Sequence, residues 1–304
     1  MIRAVVLALL VLPLVVAVAY AGAAAGRPTS DAGAIRSAAP PAFGKIVVIV
    51  FENKSPRMIL GNPAAPTFNA LERRYATLTN YDGVAHPSLP NYIALVSGST
   101  QRIKSNCIRC SIAGRNLADT LQRAGKTWKT YAEGLPAAGF DGRRVGWYAK
   151  KVNPFLYFRD VTSDPKRLAR IVPFSQLARD VSARRLPDFS LVVPNLCHDM
   201  HSCSVQVGDS WLRQQLPPLL KSPQLRHGVI FLLFDEGAGS DHTGGGGHVP
   251  AFALGPLVRR GSVTSEPVDH YSVLRTIEQA WQLPYLGKSR DAVPISGIWR
   301  ADCC

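Results

Sequence analysis

Lys45-Ile-Val-Val-Ile-Val-Phe51 is an unbroken apolar, mostly β-branched run that stops abruptly at Glu52-Asn53. A half-exposed strand alternates apolar with polar residues. A run with no polar interruption predicts a strand buried on both faces, as in a parallel sheet covered by helices. Gly228-Val-Ile-Phe-Leu-Leu-Phe234 repeats the pattern and stops at Asp235-Glu236-Gly237. Working outward, further strands are expected over residues 76–84, 127–132, 189–193 and 249–254. Helices are expected over 66–75, from just past Pro90 to Val96, and over 116–124, 209–220 and 270–281. Alternation of this kind predicts an α/β fold, a three-layer α/β/α sandwich with a mostly parallel central sheet. Ligands of such sheets gather at the carboxyl edge, which here receives Glu52, Asn53, Asp235 and Glu236.

The stretch His86-Pro-Ser-Leu-Pro-Asn-Tyr-Ile-Ala-Leu-Val-Ser-Gly98 leads into one of these helices. Pro87 and Pro90 predict a stiff, non-helical turn at Ser88 and Leu89, with the helix beginning after Pro90 and Gly98 stopping it. Taken alone, Ser88 reads as a turn or cap serine. A serine before a helix N-terminus also faces free N–H groups and the positive dipole end, where a phosphate ester is held for attack. Two more polar loops follow strands. One carries His198, Asp199 and His201, and the other is the glycine-rich segment 239–247 that ends at His248. Carboxylate, amide and hydroxyl oxygens together make a hard site for one divalent ion, Mg²⁺, Mn²⁺ or Ca²⁺. Such an ion deprotonates a serine and neutralises a transferring phosphoryl group. His86, His198, His201 and His248 are candidates to clamp phosphate or protonate the leaving alkoxide, and Asp199 is expected with them among the substrate contacts. His227, His242 and His270 read as structural or solvated. The aromatics Trp147-Tyr148 and those within residues 153–158 read as core or as the floor of a cleft.

The chain has 304 residues, 46% hydrophobic and 18% charged, enough for one catalytic domain over 43–304. Arg3 followed by an apolar run from Ala4 to Ala19 and then small residues reads as a secretory signal over 1–25, cleaved after Ala21 or Ala25. An uncleaved membrane anchor is the competing reading. Residues 26–42 read as a flexible linker. Six cysteines, at 107, 110, 197, 203, 303 and 304, favour disulfides in an exported chain, with Cys197–Cys203 the expected pair and the others open. Cys107 and Cys110 lack the second Cys-x-x-Cys that a zinc site needs. The net charge of +14 is spread over scattered basic pairs with no nucleic-acid motif. It favours small phosphate esters or an anionic membrane surface as partners, against a merely solvated basic face. A monomer is expected.

Phe51-Glu-Asn-Lys-Ser55, His86-Pro-Ser-Leu-Pro-Asn-Tyr92, Tyr131-Ala-Glu-Gly-Leu-Pro136, Asp199-Met-His201, Gly208-Asp-Ser-Trp-Leu212, Asp235-Glu-Gly237 and Tyr271-Ser-Val-Leu-Arg-Thr-Ile-Glu278 stand in one ordered series. The series resembles the bacterial phosphoesterase family of secreted acid phosphatases and phospholipases C, in the alkaline-phosphatase-like superfamily. It runs from Lys45 to the tail at Ile295-Ser-Gly-Ile-Trp299. The resemblance implies that Ser88 is a nucleophile forming a phosphoserine and that Asn91 helps hold phosphoryl oxygens. It also implies that Glu52, Asn53, Ser88, Asp235 and Glu236 ligate the metal. Two departures stand out: many members carry Asp-Asp where this chain has Asp235-Glu236, and the His/Asp set of a two-zinc site is missing, which leaves one metal and assisting histidines. The implied function is a secreted acid phosphatase, with phosphatidylinositol 3-phosphate as the pointed substrate. A phospholipase C is the alternative, although family lipases are longer and carry twin-arginine signals. A non-catalytic basic protein binding anionic lipid is a third reading.

Overall fold

The computed structural model describes Met1 and residues 39–300. The expected signal beyond Met1, residues 26–38 of the expected linker, and Cys303 and Cys304 lie outside the described residues. Eight strands form the main sheet: β1 (Lys45–Phe51), β2 (Ala76–Leu78), β3 (Trp128–Ala132), β4 (Ile171–Pro173), β5 (Phe189–Val193), β6 (Gly228–Phe234), β7 (Ala251–Leu254) and β8 (Val263–Thr264). Their order is β8-β2-β7-β6-β1-β5-β3-β4. Strands β6 to β4 are parallel, and β7 alone runs antiparallel to both its neighbours. The two continuous apolar runs are the central pair. Every residue of β6 is buried, and every residue of β1 after Lys45. Their register, from Lys45 opposite Gly228 to Phe51 opposite Phe234, ends both strands at one level. Glu52 and Asp235 therefore leave the sheet side by side.

The helices longer than one turn are α1 (Pro66–Arg74), α2 (Ser88–Ser97), α3 (Leu117–Arg123), α4 (Ser175–Ser182), α5 (Val205–Leu220) and α6 (His270–Ala280). α1 packs with α5, and α2 packs with α6. Phe51 meets Phe68 of α1 and Trp211 of α5 edge-on at centroid distances of 5.4 and 5.8 Å.

Several local expectations are corrected. α2 begins at Ser88, so Ser88 and Leu89 are helical: the first-turn N–H groups have no intrahelical partner, and Pro90 at the third position forfeits nothing. Gly98 does end the helix, with φ of 67°, and a Cβ there would strike the Leu286 carbonyl oxygen at 1.7 Å. The strand expected over 76–84 is two pieces, β2 and the short Tyr81–Asp82. α5 starts four residues early, and the loop-rich stretch before β5 holds β4, α4 and a two-stranded hairpin, Arg144–Val145 with Tyr148–Ala149. Tyr148 and residues 155–158 are core, whereas Trp147 is exposed. Cys197–Cys203 forms as expected and Cys107 pairs with Cys110, which removes the zinc reading of that pair. Among the described residues no helix is long and apolar enough to cross a membrane.

Candidate active site

The two strand ends are stitched together first by backbone. Asp235 N–H donates to the Phe51 carbonyl at 3.0 Å, extending the ladder one step past β6. Asn53 then turns out of the strand with φ of 51°, its N–H donating to Asp235 Oδ1 at 3.1 Å and its Nδ2 to Glu236 Oε1 at 2.5 Å. α2 delivers Ser88 from the other side. Its Oγ lies 3.3 Å from Glu52 Oε2 and 3.1 Å from Glu236 Oε1. Ser88, Glu52, Asp235 and Glu236 are all buried. Lys151 completes the group, with Nζ 2.5 Å from Glu52 Oε2 and 3.1 Å from Ser88 Oγ. His86 packs beside it, Nδ1 2.5 Å from Glu236 Oε2 and Nε2 2.8 Å from the Asp241 carbonyl, so both ring nitrogens face oxygen and the ring is fixed.

Negative charge is crowded here. Burial, then the Glu52 and Glu236 charges, push the Asp235 carboxyl well up. Burial and Glu52 do the same to Asp199, and burial raises Glu236 against the pull of His86. Four buried oxygens in this group, Glu52 Oε1, Asn53 Oδ1, Asp199 Oδ2 and Asp235 Oδ2, have no hydrogen-bond partner. Each such atom costs ~1–3 kcal/mol unless something coordinates it. Among the described residues no cluster of three His, Cys, Asp or Glu side chains is arranged to hold a metal as it stands. The two observations pull apart, and the unpartnered oxygens decide. A carboxylate arm closes on an ion by rotation, whereas a buried oxygen without a donor stays costly. These residues fit a hard divalent cation.

The other expected residues are placed differently from one another. Asn91 turns away from the cluster: its Oδ1 accepts from Val84 N–H at 2.8 Å and Ala85 N–H at 3.0 Å, and its Nδ2 donates to the Ala85 carbonyl at 2.7 Å. It braces the turn that carries His86. Asp199, expected among the substrate contacts, is buried with the acidic group and accepts from His201 N–H at 2.7 Å, while its carbonyl takes Glu52 N–H at 2.8 Å. His201 stands at the rim, Nε2 4.0 Å from Glu52 Oε2, and burial and Lys151 lower its pKa. His198 faces away to Glu133 at 2.9 Å and stacks on Trp211. His248 pairs with Asp82 at 3.0 Å. His270 has a specific structural role: buried, it lies 2.6 Å from the Asp235 carbonyl and 2.8 Å from Tyr81 Oη, steadying the acidic loop.

Lys151 is the residue the sequence reading missed. In the sequence it is half of one scattered basic pair. Asn106 was missed as well; its Oδ1 accepts Leu89 N–H at 2.9 Å and caps α2 beside the Cys107–Cys110 bridge.

Solved structures share the fold. A protein of the alkaline phosphatase superfamily from Vibrio parahaemolyticus superposes with a TM-score of 0.61 over 85% of this chain and 72% of its own, at 15% identity. The lipoteichoic acid synthase of Listeria monocytogenes gives 0.58 over 82% and 76%, at 10% identity. The chain shares the fold of these two structures, a mostly parallel sheet with flanking helices. Residues 58–284 match the Phosphoesterase family. The chain belongs to that family and is a hydrolase acting on phosphoric esters. It is 35% identical to a phosphatidylinositol-3-phosphatase of Mycobacterium tuberculosis, over 87% of this chain and 86% of that one. It is 31% identical to a probable acid phosphatase of Kluyveromyces lactis, over 81% of this chain and 60% of the relative.

Proposed function

We propose that this chain is an exported, metal-dependent phosphomonoesterase that works through a phosphoserine at Ser88 and accepts the headgroup phosphate of a phosphoinositide. One observation carries the reading: a buried serine hydroxyl at a helix N-terminus lies within hydrogen-bond reach of Glu52, Glu236 and Lys151. Glu236, oriented by His86 and Asn53, takes the Ser88 proton. The Ser88 oxygen attacks phosphorus, the P–O bond to the leaving alcohol breaks, and a proton from the rim, where His201 stands, completes the alcohol. Water then cleaves the phosphoserine to phosphate and free serine. Lys151 stabilises the serine oxygen and the charge gathering on the phosphoryl group, and the first-turn N–H groups of α2 add to this. A divalent ion held by Glu52, Asn53, Ser88, Asp235 and Glu236, with Asp199 beside them, supplies Lewis acidity when bound. Asn91 acts through the turn it braces.

The phosphoinositide assignment is supported by the mycobacterial relative, and export by the two disulfides and the N-terminal apolar run. The test is turnover of p-nitrophenyl phosphate with and without chelator, together with acid trapping of the enzyme during turnover and peptide mass spectrometry. Phosphate on the Ser88 peptide and metal-dependent turnover are expected. Full turnover by metal-free protein, or a trapped enzyme without phosphate at Ser88, refutes the mechanism.

A further inference from the structure

The hairpin that ends just before Lys150 and Lys151 presents an unusual tip. Two successive backbone pairs, Arg144 with Ala149 and Val145 with Tyr148, leave Gly146 and Trp147 at the turn. Val145 is 44% exposed and Trp147 48%, among the few large apolar side chains in the described residues that face water. Arg143 and Arg144 flank them, both exposed. The base is rigid: Tyr148 is buried and meets Phe140 edge-on at 6.0 Å, and Lys150 N–H donates to the Arg143 carbonyl at 2.9 Å. The tip is tied to the active-site rim, because Leu196 N–H donates to the Trp147 carbonyl at 3.0 Å and the Arg144 charge bears on His201. Three residues beyond the inner strand's Tyr148, the same chain supplies Lys151 to Ser88.

A tryptophan and a valine held out on a stiff tip beside two arginines form an interfacial element. The aromatic ring favours the headgroup zone of a bilayer, and the arginines favour anionic lipid there. The +14 charge of the chain has the sign that such a surface requires. We propose that the 143–147 hairpin tip docks this protein on anionic bilayers, seating Trp147 among the headgroups so that a lipid phosphate meets Ser88 from the membrane side. The proposal deepens the phosphoinositide reading and rests on it for its purpose, while docking itself is measured without turnover.

The test uses the full chain, phosphatidylcholine vesicles with about one-third phosphatidylserine, and phosphatidylcholine vesicles alone. Wild-type protein should float with the first, weakly with the second, and less at high salt. Trp147→Ala combined with Val145→Ser should bind the anionic vesicles about tenfold more weakly, and Arg143→Glu about fivefold or more weakly. Trp147→Phe should retain most of the binding. Turnover of p-nitrophenyl phosphate by the Trp147 variants should stay at the wild-type level, while hydrolysis of phosphatidylinositol 3-phosphate in vesicles falls with binding. Wild-type protein that turns over p-nitrophenyl phosphate yet ignores anionic vesicles overturns the docking and leaves the phosphatase standing. Equal vesicle binding by the double variant, parallel loss of soluble turnover, or a solution dimer that the double variant dissolves likewise overturns it.

Discussion

Lys151→Met deletes an ammonium while keeping most of its apolar stem, and the structure sets the size of the effect. The ammonium touches both the Ser88 hydroxyl and a Glu52 carboxylate that is wholly shielded from water. Loss of one donor aimed at the reacting oxygens should lower kcat by ~10²–10³ with a smaller change in KM. Stability should respond too, since breaking a buried pair leaves Glu52 uncompensated at a cost of ~3–5 kcal/mol. At ~2–4 °C per kcal/mol for a domain of this size, metal-free variant should melt roughly 10 °C below metal-free wild type. Burial works against the Lys151 ammonium, but Glu52 and Asp235 outweigh it and hold its pKa above the ordinary value. A raised pKa in a cation means its contribution is complete at neutral pH and is lost only as pH climbs above the ordinary lysine range. A divalent ion in the proposed site would neutralise the same carboxylates, so saturating Mg²⁺ should close much of the melting gap without restoring kcat. Calorimetry with and without metal, beside steady-state kinetics, reads both quantities. If kcat stays within about threefold of wild type and the melting gap ignores metal, Lys151 belongs to neither the reaction nor the charge balance.

Ser88→Ala should keep the fold and most of the metal affinity, since Glu52, Asn53, Asp235 and Glu236 remain, while losing turnover by well over ~10³ because the proposed nucleophile is gone; residual activity above about a tenth of wild type ends the phosphoserine mechanism. Asp235→Asn should weaken metal affinity more than Glu236→Gln, as Asp235 is fixed by the strand end and keeps an unpartnered oxygen, whereas Glu236 is already bonded to Asn53, His86 and Ser88; metal-binding titration of both variants, read without turnover, decides, and the reverse order refutes the placement. Glu278 is buried on α6 with Ser289 and Leu286 as its bonding partners, and burial pushes its carboxyl up to about 7 despite those bonds. A raised carboxyl favours the folded state below its unfolded pKa and loses that contribution as pH rises through the folded value, so the unfolding free energy should fall between about pH 4.5 and 7 by on the order of 3 kcal/mol. Glu278→Gln should flatten that window, and an unchanged slope speaks against it.

The parts of the site carried by central strands were legible because burial leaves a one-dimensional trace. An unbroken apolar run ending in polar residues marks where a buried strand delivers them, and Glu52, Asn53, Asp235 and Glu236 all meet where the two runs stop. Ser88 was legible from its prolines, although the helix start was misplaced because a proline in the first turn costs no hydrogen bond. Lys151 and Asn106 were illegible for one reason: each reaches the site from a short irregular segment with no periodicity, and its partner is fixed only by the fold. Asn91 shows the converse, a motif residue whose polar atoms go to the backbone turn. The histidines split likewise, since His198 is drawn off by Glu133, a partner 65 positions away.

The pairing of β1 with β6 also has a consequence in time. Asn53 and Glu236, which touch, are 183 positions apart. At ribosomal rates of ~5–20 residues per second, roughly 10–40 s separate their synthesis. Throughout that interval β1 is a bare, sticky ribbon with no permanent neighbour on one side. β5 completes first and can shield only the other flank. Truncated chains ending before residue 228 should therefore be prone to clump, and nascent chains of that length should be the ones that chaperones hold longest.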